Sequence, residues 1–242
     1  VTGGKTRRTG HTDVVVTPET SLDHPVAESL RTRHAHLARR LGDAVTYDAD
    51  VATFADVGTD WAALAELLGP GRMADLFSSE ATPPADWEPM FELAGLQLIF
   101  AGDAPGASSV PIVDLGEADY PAVRALIDAT RPGPFWPRTP ELGTYLGVRD
   151  DDGTLIAMAG ERLQPPGWTE ISAVCTLPSA RGQGLAGALV GELVRRIHAR
   201  GDRPFLHLAE ANTAALRVYE RLGFVLRRRV VFRGFRTPGG DA

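Results

Sequence analysis

Apolar positions change period several times along this chain, and the changes mark its elements. In the C-terminal half a helical pattern over residues 118–129 gives way to strand-like runs over 144–149 and 154–163, joined by Asp150-Asp151-Asp152-Gly153, a hairpin signal. A turn at Pro165-Pro166-Gly167 leads to a strand over 169–177. A helix over 185–200 follows, with Leu185, Leu189, Leu193 and Ile197 as its apolar stripe and Gly201 as its stop. A strand over 204–208 precedes a helix that starts at the N-cap residue Asn212 and ends at Gly223, and the last strand begins at Phe224. The N-terminal half is less sharply written. Val26, Leu30, Leu37 and Leu41 predict a helix over 24–41 closed by Gly42; strands follow at 44–47 and 52–55, a helix at 60–68 ended by Gly69-Pro70-Gly71, and a strand at 73–77. Runs at 87–93 and 96–100 flank Ala94-Gly95 and read as a hairpin.

This alternation predicts an α/β (α+β) fold. Residues 102–111, rich in Gly, Ala, Ser and Pro, read as a linker. The expected division is a frayed segment 1–12, an α/β domain 13–108, a second domain 111–236 and a tail 237–242. The last strand is long and nearly finishes the chain, so part of the second domain's sheet is expected to be completed by the N-terminal half.

Composition narrows the function. The 242 residues are 43% hydrophobic and 23% charged, the balance of a globular chain. No apolar run approaches the ~18 residues of a membrane span, and no apolar segment follows the basic residues near the start, so a cytoplasmic protein with no membrane partner is expected. The net charge is −6, with 8 basic against 16 acidic residues up to Val110 and 17 against 15 beyond it. Neither total nor distribution suits a nucleic-acid partner. Cys175 is the only cysteine, which excludes an intrachain disulfide and a cysteine-based metal cluster, and no metal site is expected. His34 and His36, at i and i+2, diverge on a helix and do not form one either.

The chemistry concentrates between Val174 and Ala186. A β-branched strand end, Gly182 and Gly184, and then a helix place successive backbone N–H groups at a helix mouth, where the dipole adds partial positive charge. A phosphate-bearing ligand fits such a loop. The spacing differs from the dinucleotide fingerprint Gly-x-Gly-x-x-Gly, and no Gly-Lys-Ser/Thr occurs, which disfavours both common nucleotide loops.

Arg181-Gly182-Gln183-Gly184-Leu185-Ala186 matches the Arg/Gln-x-x-Gly-x-Gly/Ala signature of the GNAT superfamily of acyl-CoA-dependent N-acyltransferases. Asn212, Ala215, Tyr219 and Gly223-Phe224 resemble that family's second motif in order and spacing. The resemblance covers about residues 113–236. Within it, Pro132-Gly133-Pro134-Phe135, Thr139, Leu142-Gly143, Thr169-Glu170-Ile171-Ser172 and Phe205-Leu206-His207-Leu208 resemble the branch related to glycine N-acyltransferases. It implies a central mixed, mostly antiparallel sheet flanked by helices, acetyl-CoA as cosubstrate and a small-molecule or amino-acid amine as acceptor, with monomer and homodimer both open. It also implies that the N-terminal half is a degenerate copy of the same fold. The amides of Gln183, Gly184, Leu185 and Ala186 would hold the pyrophosphate, with Arg181 and Gly182 in the same loop. The strand Val174-Cys175-Thr176 would lie along the pantetheine arm, with Val174 N–H on the thioester carbonyl, and Asn212 and Ala215 would border the cofactor with Tyr219.

Direct transfer from a thioester to an amine needs an acid for the departing thiolate and a proton acceptor for the amine. The resemblance implies Tyr219, two helical turns from Asn212, as the acid; its spacing beside Leu216 and Leu222, taken alone, fits a core aromatic. Glu170 is the expected base, since strand parity puts it on the face of Ser172, Val174 and Thr176, though roughly 13 Å of extended strand separates it from Val174. Glu161 is the alternative base and acceptor-site residue, and His207 the third choice. Cys175 has the opposite parity and no adjacent base, which argues against a thiol nucleophile. The loop after the first helix of the resembling region points to Phe135, Trp136 and Arg138 as acceptor-binding residues, Arg138 as partner of a substrate carboxylate. A contrasting reading keeps the cofactor site but makes the chain a non-catalytic CoA-binding regulatory or scaffolding protein, its acceptor cleft blocked by the acidic N-terminal half.

Overall fold

In the computed structural model residues 20–77, 79–103 and 105–239 are described. The segment expected to fray, 1–12, and residues 240–242 of the tail lie outside them.

Eleven strands form a sheet in the order β1-β2-β3-β4-β11-β5-β10-β9-β8-β7-β6. They are β1 (Ala38–Leu41), β2 (Ala44–Tyr47), β3 (Phe54–Asp56), β4 (Met73–Phe77), β5 (Glu88–Phe100), β6 (Val113–Asp114), β7 (Tyr145–Arg149), β8 (Leu155–Glu161), β9 (Trp168–Thr176), β10 (Arg203–Ala209) and β11 (Phe224–Arg236). The β3/β4 and β9/β10 pairs are parallel and the other neighbours antiparallel. Five helices flank them: α1 (Pro25–Arg31), α2 (Trp61–Leu68), α3 (Tyr120–Thr130), α4 (Leu185–Ala199) and α5 (Thr213–Arg221). The expected mixed, mostly antiparallel sheet with flanking helices is therefore present.

Local chemistry explains most boundaries. Asp60 caps α2 by accepting from Ala63 N at 2.9 Å, and Asn212 caps α5 by accepting from Ala215 N at 3.1 Å. The stripe Leu185, Leu189, Leu193 and Ile197 of α4 is buried against Leu96, Leu98, Leu206 and Phe224 of the sheet. α1 packs with Tyr47, Trp168 and Phe205, and α3 with Tyr145, Met158 and Cys175.

Two N-terminal expectations fail for identifiable reasons. The helix expected over 24–41 stops at Arg31; Thr32 leaves helical dihedrals, and Ala38–Leu41 becomes β1 because it pairs with β2 around Gly42, whose φ of 55° serves a turn rather than a helix end. The hairpin expected about Ala94-Gly95 is one unbroken strand, β5. A Cβ at Gly95 would run into the Phe232 ring, so this glycine marks a close approach and not a turn. The consequence is large, since β5 lies between β10 and β11. The linker over 102–111 is not a break in the sheet: the strand before it supplies a central position among the strands after it.

A buried row of polar side chains crosses this seam. Arg162 donates through Nε and Nη2 to Glu170 Oε2 and Oε1 at 2.8 and 2.6 Å, and Glu170 Oε1 lies 2.6 Å from His207 Nδ1. Gln97 Nε2 lies 3.0 Å from His207 Nε2 and donates to Leu22 O, while Gln97 Oε1 accepts from Arg227 Nη1 at 2.7 Å. Arg227 sits at a bulge in β11 and also reaches Asp23. Donor and acceptor roles are fixed by consistency: the Gln97 amide donates to His207 Nε2, so the imidazole carries its proton on Nδ1 and gives it to Glu170. Burial lowers the proton affinity of His207, and Glu170 is held down to about 2 by Arg162 and His207 against the opposing effect of burial.

Glu170 thus binds its proton more weakly folded than unfolded. Its contribution to stability is complete above about pH 4.5 and is lost as pH falls toward 2. Denaturant titrations should show stability dropping between pH 6 and 3, with a smaller drop in Glu170→Gln. At pH 7, Arg162→Met should cost about 3–5 kcal/mol, because it strands a buried carboxylate.

Candidate active site

The glycine loop forms the mouth of α4. Gly184 is its N-cap residue with φ 77° and no side-chain cap, Gly182 has φ 82°, and the first turn closes with Ala188 N on Gly184 O at 3.0 Å. The amides before Ala188 therefore project from the helix end, as an anion site requires. They open onto a groove of about 440 Å³ bordered by Thr176, Arg181, Gly182, Gly184, Leu185, Ala186 and, from α5, Val218, Arg221 and Leu222. Gln183 is exposed in the loop, and Arg181 Nε lies 3.4 Å from Thr176 O. The basic Arg221 at this groove was not anticipated; a helical offset of three from Val218 was its only signal.

Beyond the groove, β9 and β10 part. They pair only where Arg203–Phe205 meets Trp168–Glu170. On the other edge, Cys175 pairs with Met158 and Ser172 with Gly160, so β9 carries one extra residue, and Ala173 takes φ 51°. This bulge changes the parity of the strand. Ile171 and Val174 face the α4 core, whereas Cys175 and Ala173 pack with the α3 cluster. The expectation that Glu170 and Val174 share a face is corrected accordingly.

The gap between the parted strands is a cavity of about 420 Å³. It is bordered by Ser172, Ala173, Val174, Asn212, Ala215 and Tyr219, and also by Arg162, His207, Phe77, Phe54 and Asp75. Burial pushes the Tyr219 phenol up to about 12, and its ring stands edge-on to Phe224 at 5.9 Å. Burial thus favours the neutral hydroxyl, the form that can donate a proton, while making it a weaker acid.

Several expected site residues are committed elsewhere. Glu170 is fully buried with both oxygens bound and a proton affinity near 2, which is incompatible with a role as free base. The only lone pair of His207 is taken by Gln97. Glu161 is buried away from the cavity, with Oε1 accepting from Arg200 Nη2 at 2.6 Å and Oε2 from Thr144 N at 3.1 Å. Arg138 is forked onto Glu141 at 2.7 and 2.8 Å and lies 3.4 Å from Asp48, so its charge is spent on neighbours outside the cavity. Phe135 packs on Tyr145, and Trp136 borders a different depression beside Arg72 and Met73; the loop reaches the cavity through Pro132, Gly133 and Pro134 instead. Cys175 is buried, with its thiol pushed up by burial.

Sequence reasoning missed Arg162 and the N-terminal wall. The Arg162 signal was present: a hairpin centred on Pro166 puts residue 162 opposite residue 170, and their backbones bond at 3.0 Å. Nothing in local sequence pointed Asp75, Phe77 or Phe54 at this cavity.

The model of the family described as FR47-like protein matches residues 145–232. A GNAT-family protein from Novosphingobium aromaticivorans is 38% identical over 90% of this chain and 99% of its own, with a TM-score of 0.84. A GCN5-related N-acetyltransferase from Kribbella flavida, 22% identical over 89% of this chain and 96% of its own, shares the fold with a TM-score of 0.56. N-alpha-acetyltransferase RimI from Mycobacterium tuberculosis is 36% identical over 104 residues, 40% of this chain and 61% of that protein. Mycothiol acetyltransferase from Saccharopolyspora erythraea is 34% identical over 81 residues, 33% of this chain and 27% of that protein. The match thus spans about three fifths of the one curated relative and a quarter of the other. Because the match to the Novosphingobium protein, at 38% identity, covers nearly the whole of both chains, this chain belongs to the GNAT family.

Proposed function

We propose that this protein is an acetyl-CoA-dependent N-acetyltransferase that moves an acetyl or short acyl group to a primary amine of a small molecule or amino acid by direct transfer. The observation that carries this reading is that the groove and the cavity share two elements. Thr176 of β9 borders the groove while Val174 borders the cavity; Val218 and Arg221 of α5 border the groove while Ala215 and Tyr219 of the same helix, with its N-cap Asn212, border the cavity. A donor held in one and an acceptor held in the other would meet at Val174 and Tyr219.

The residues present fit the cosubstrate. An uncapped helix mouth with two glycines at positive φ, open space at both, and Arg181 and Arg221 alongside suits a pyrophosphate. When bound, acetyl-CoA would supply an activated acyl carbon. Val174 N–H would polarise the acyl carbonyl, Tyr219 Oη would give its proton to the departing sulfur, and the acceptor nitrogen would shed its proton to water in the cleft, because Glu170 and His207 are committed. The N-terminal half lines this cleft rather than blocking it, which favours an enzyme over a CoA-binding scaffold. The names of the relatives are consistent with an amino-group acceptor, and the residues that resemble the glycine N-acyltransferase branch favour a small one.

Incubation with acetyl-CoA and a panel of primary amines should release free CoA thiol and yield the acetylated amine by mass spectrometry; thiol release from no amine sinks the proposal. Tyr219→Phe should lower kcat about 100-fold with little change in the KM for acetyl-CoA. Gly184→Val forces a β-branched residue into the left-handed region at the helix mouth, and steady-state kinetics should show the KM for acetyl-CoA rising about tenfold or more.

A further inference from the structure

Asp75 is the carboxylate of the cavity that the reaction above does not use. It is 6% exposed, its Oδ2 accepts from Thr53 Oγ1, and its Oδ1 is the one buried side-chain polar atom without a hydrogen-bond partner among the described residues. A buried oxygen left unpaired costs about 1–3 kcal/mol, so such atoms in a cavity wall point to a ligand. Its surroundings select the sign of that ligand. Phe54, Phe77, Phe91 and Phe232 border the same cavity, and the Phe91 ring covers Gly234, the residue paired with Asp75 across the β4/β11 ladder. A carboxylate among aromatic faces is a site for an ammonium group.

Its place along the cavity selects which ammonium. Phe77 stands two residues from Asp75, hence on the same face of β4. Its ring centroid lies 5.0 Å from the Arg162 guanidinium and 4.9 Å from the His207 ring. Asp75 therefore belongs to the Arg162–Glu170 end, whereas the acyl group would sit at Val174, on the order of 10 Å further along β9. The competing cation at that end is already matched, since Arg162 is forked onto Glu170. Arg233, which also borders the cavity, donates to the carbonyls of Ser79 and Ala81.

Resting on the acetyltransferase reading, we propose that Asp75 anchors a second, non-reacting ammonium group of the acceptor, so that the preferred substrates are long-chain diamines carrying two positive charges about 10 Å apart. Burial raises the proton affinity of this carboxylate against the opposing effects of Thr53 and Arg162, and an ammonium beside it would favour the ionised form.

The probes are 1,8-diaminooctane and n-octylamine, which share a chain and differ by one charge. Isothermal titration calorimetry on the full chain with CoA bound should show the diamine binding at least tenfold more tightly than the monoamine, with the advantage lost in Asp75→Asn. In acetyl transfer, the kcat/KM ratio of diamine to monoamine should fall from at least ten to near one in the same variant. The amide keeps an acceptor for Thr53 Oγ1 and removes a carboxyl whose ionised form burial disfavours, so Tm should not decrease. The proposal is overturned by equal binding of the two amines to the unsubstituted chain, by an unchanged ratio in Asp75→Asn with both rates lowered together, the mark of a general base, or by a Tm loss, the mark of a structural carboxylate. Because calorimetry needs no turnover, a chain that binds the diamine through Asp75 yet transfers nothing would refute the enzyme reading and leave this one standing.

Discussion

The polar row from Arg162 through Glu170, His207 and Gln97 to Arg227 is the interaction on which the arrangement of the two halves depends. Its members sit at or beside five adjacent strands, β8, β9, β10, β5 and β11, and each is satisfied by the next. In a low-dielectric interior such a chain is stable only when complete, because every broken link leaves a desolvated donor or acceptor. The register of β5 between β10 and β11 is thereby fixed chemically as well as by backbone pairing: a one-residue slip would turn Gln97 to the opposite face and leave both His207 and Arg227 unpaired. The bulge at Arg227 is part of the same solution, since it turns that guanidinium toward Gln97.

This row also decides what the cleft can do. Glu170 and His207 look like a base and its partner when read singly, yet the Arg162 fork and the Gln97 amide leave neither with a free lone pair of useful basicity. They act as a fixed floor. Above that floor the strands part, and the walls come from both halves: Ser172–Val174 and Tyr219 on one side, Asp75, Phe77 and Phe91 on the other. The cleft is thus assembled across a seam, with walls from both the C-terminal and the N-terminal elements.

Sequence alone made the C-terminal elements legible, because helix caps, glycine stops and period changes are local. Asn212, Gly184, Gly201 and the stripe of α4 are all short-range signals. Tyr219 lies two turns from the Asn212 cap, but its assignment to the cleft rests on the resemblance of the Asn212–Phe224 segment to the family's second motif. What stayed hidden was non-local. Gly95 carries the same letter as a turn glycine, and only the Phe232 ring arriving from residues far downstream shows that it is a strand glycine. Arg138 was read as free because its partners Glu141 and Asp48 come together only in the folded loop. Strand parity failed at Ala173 because a bulge inserts one residue without leaving a glycine or proline to announce it.

That bulge is the step that joins fold to chemistry. A non-glycine residue in the left-handed region costs about 1–2 kcal/mol and persists only where its flanks over-determine it. Here the flanks are the Arg162–Glu170 fork on one side and Cys175, buried against α3, on the other. Without the extra residue, strand alternation would keep Val174 on the face of Glu170. With it, the part of β9 that pairs with β10 carries the buried Arg162–Glu170 pair, and the part that leads to the glycine loop has the opposite parity. The strain at one alanine is held by the same buried ion pair that aligns the two halves, so the stability of the sheet and the opening of the cleft are set together.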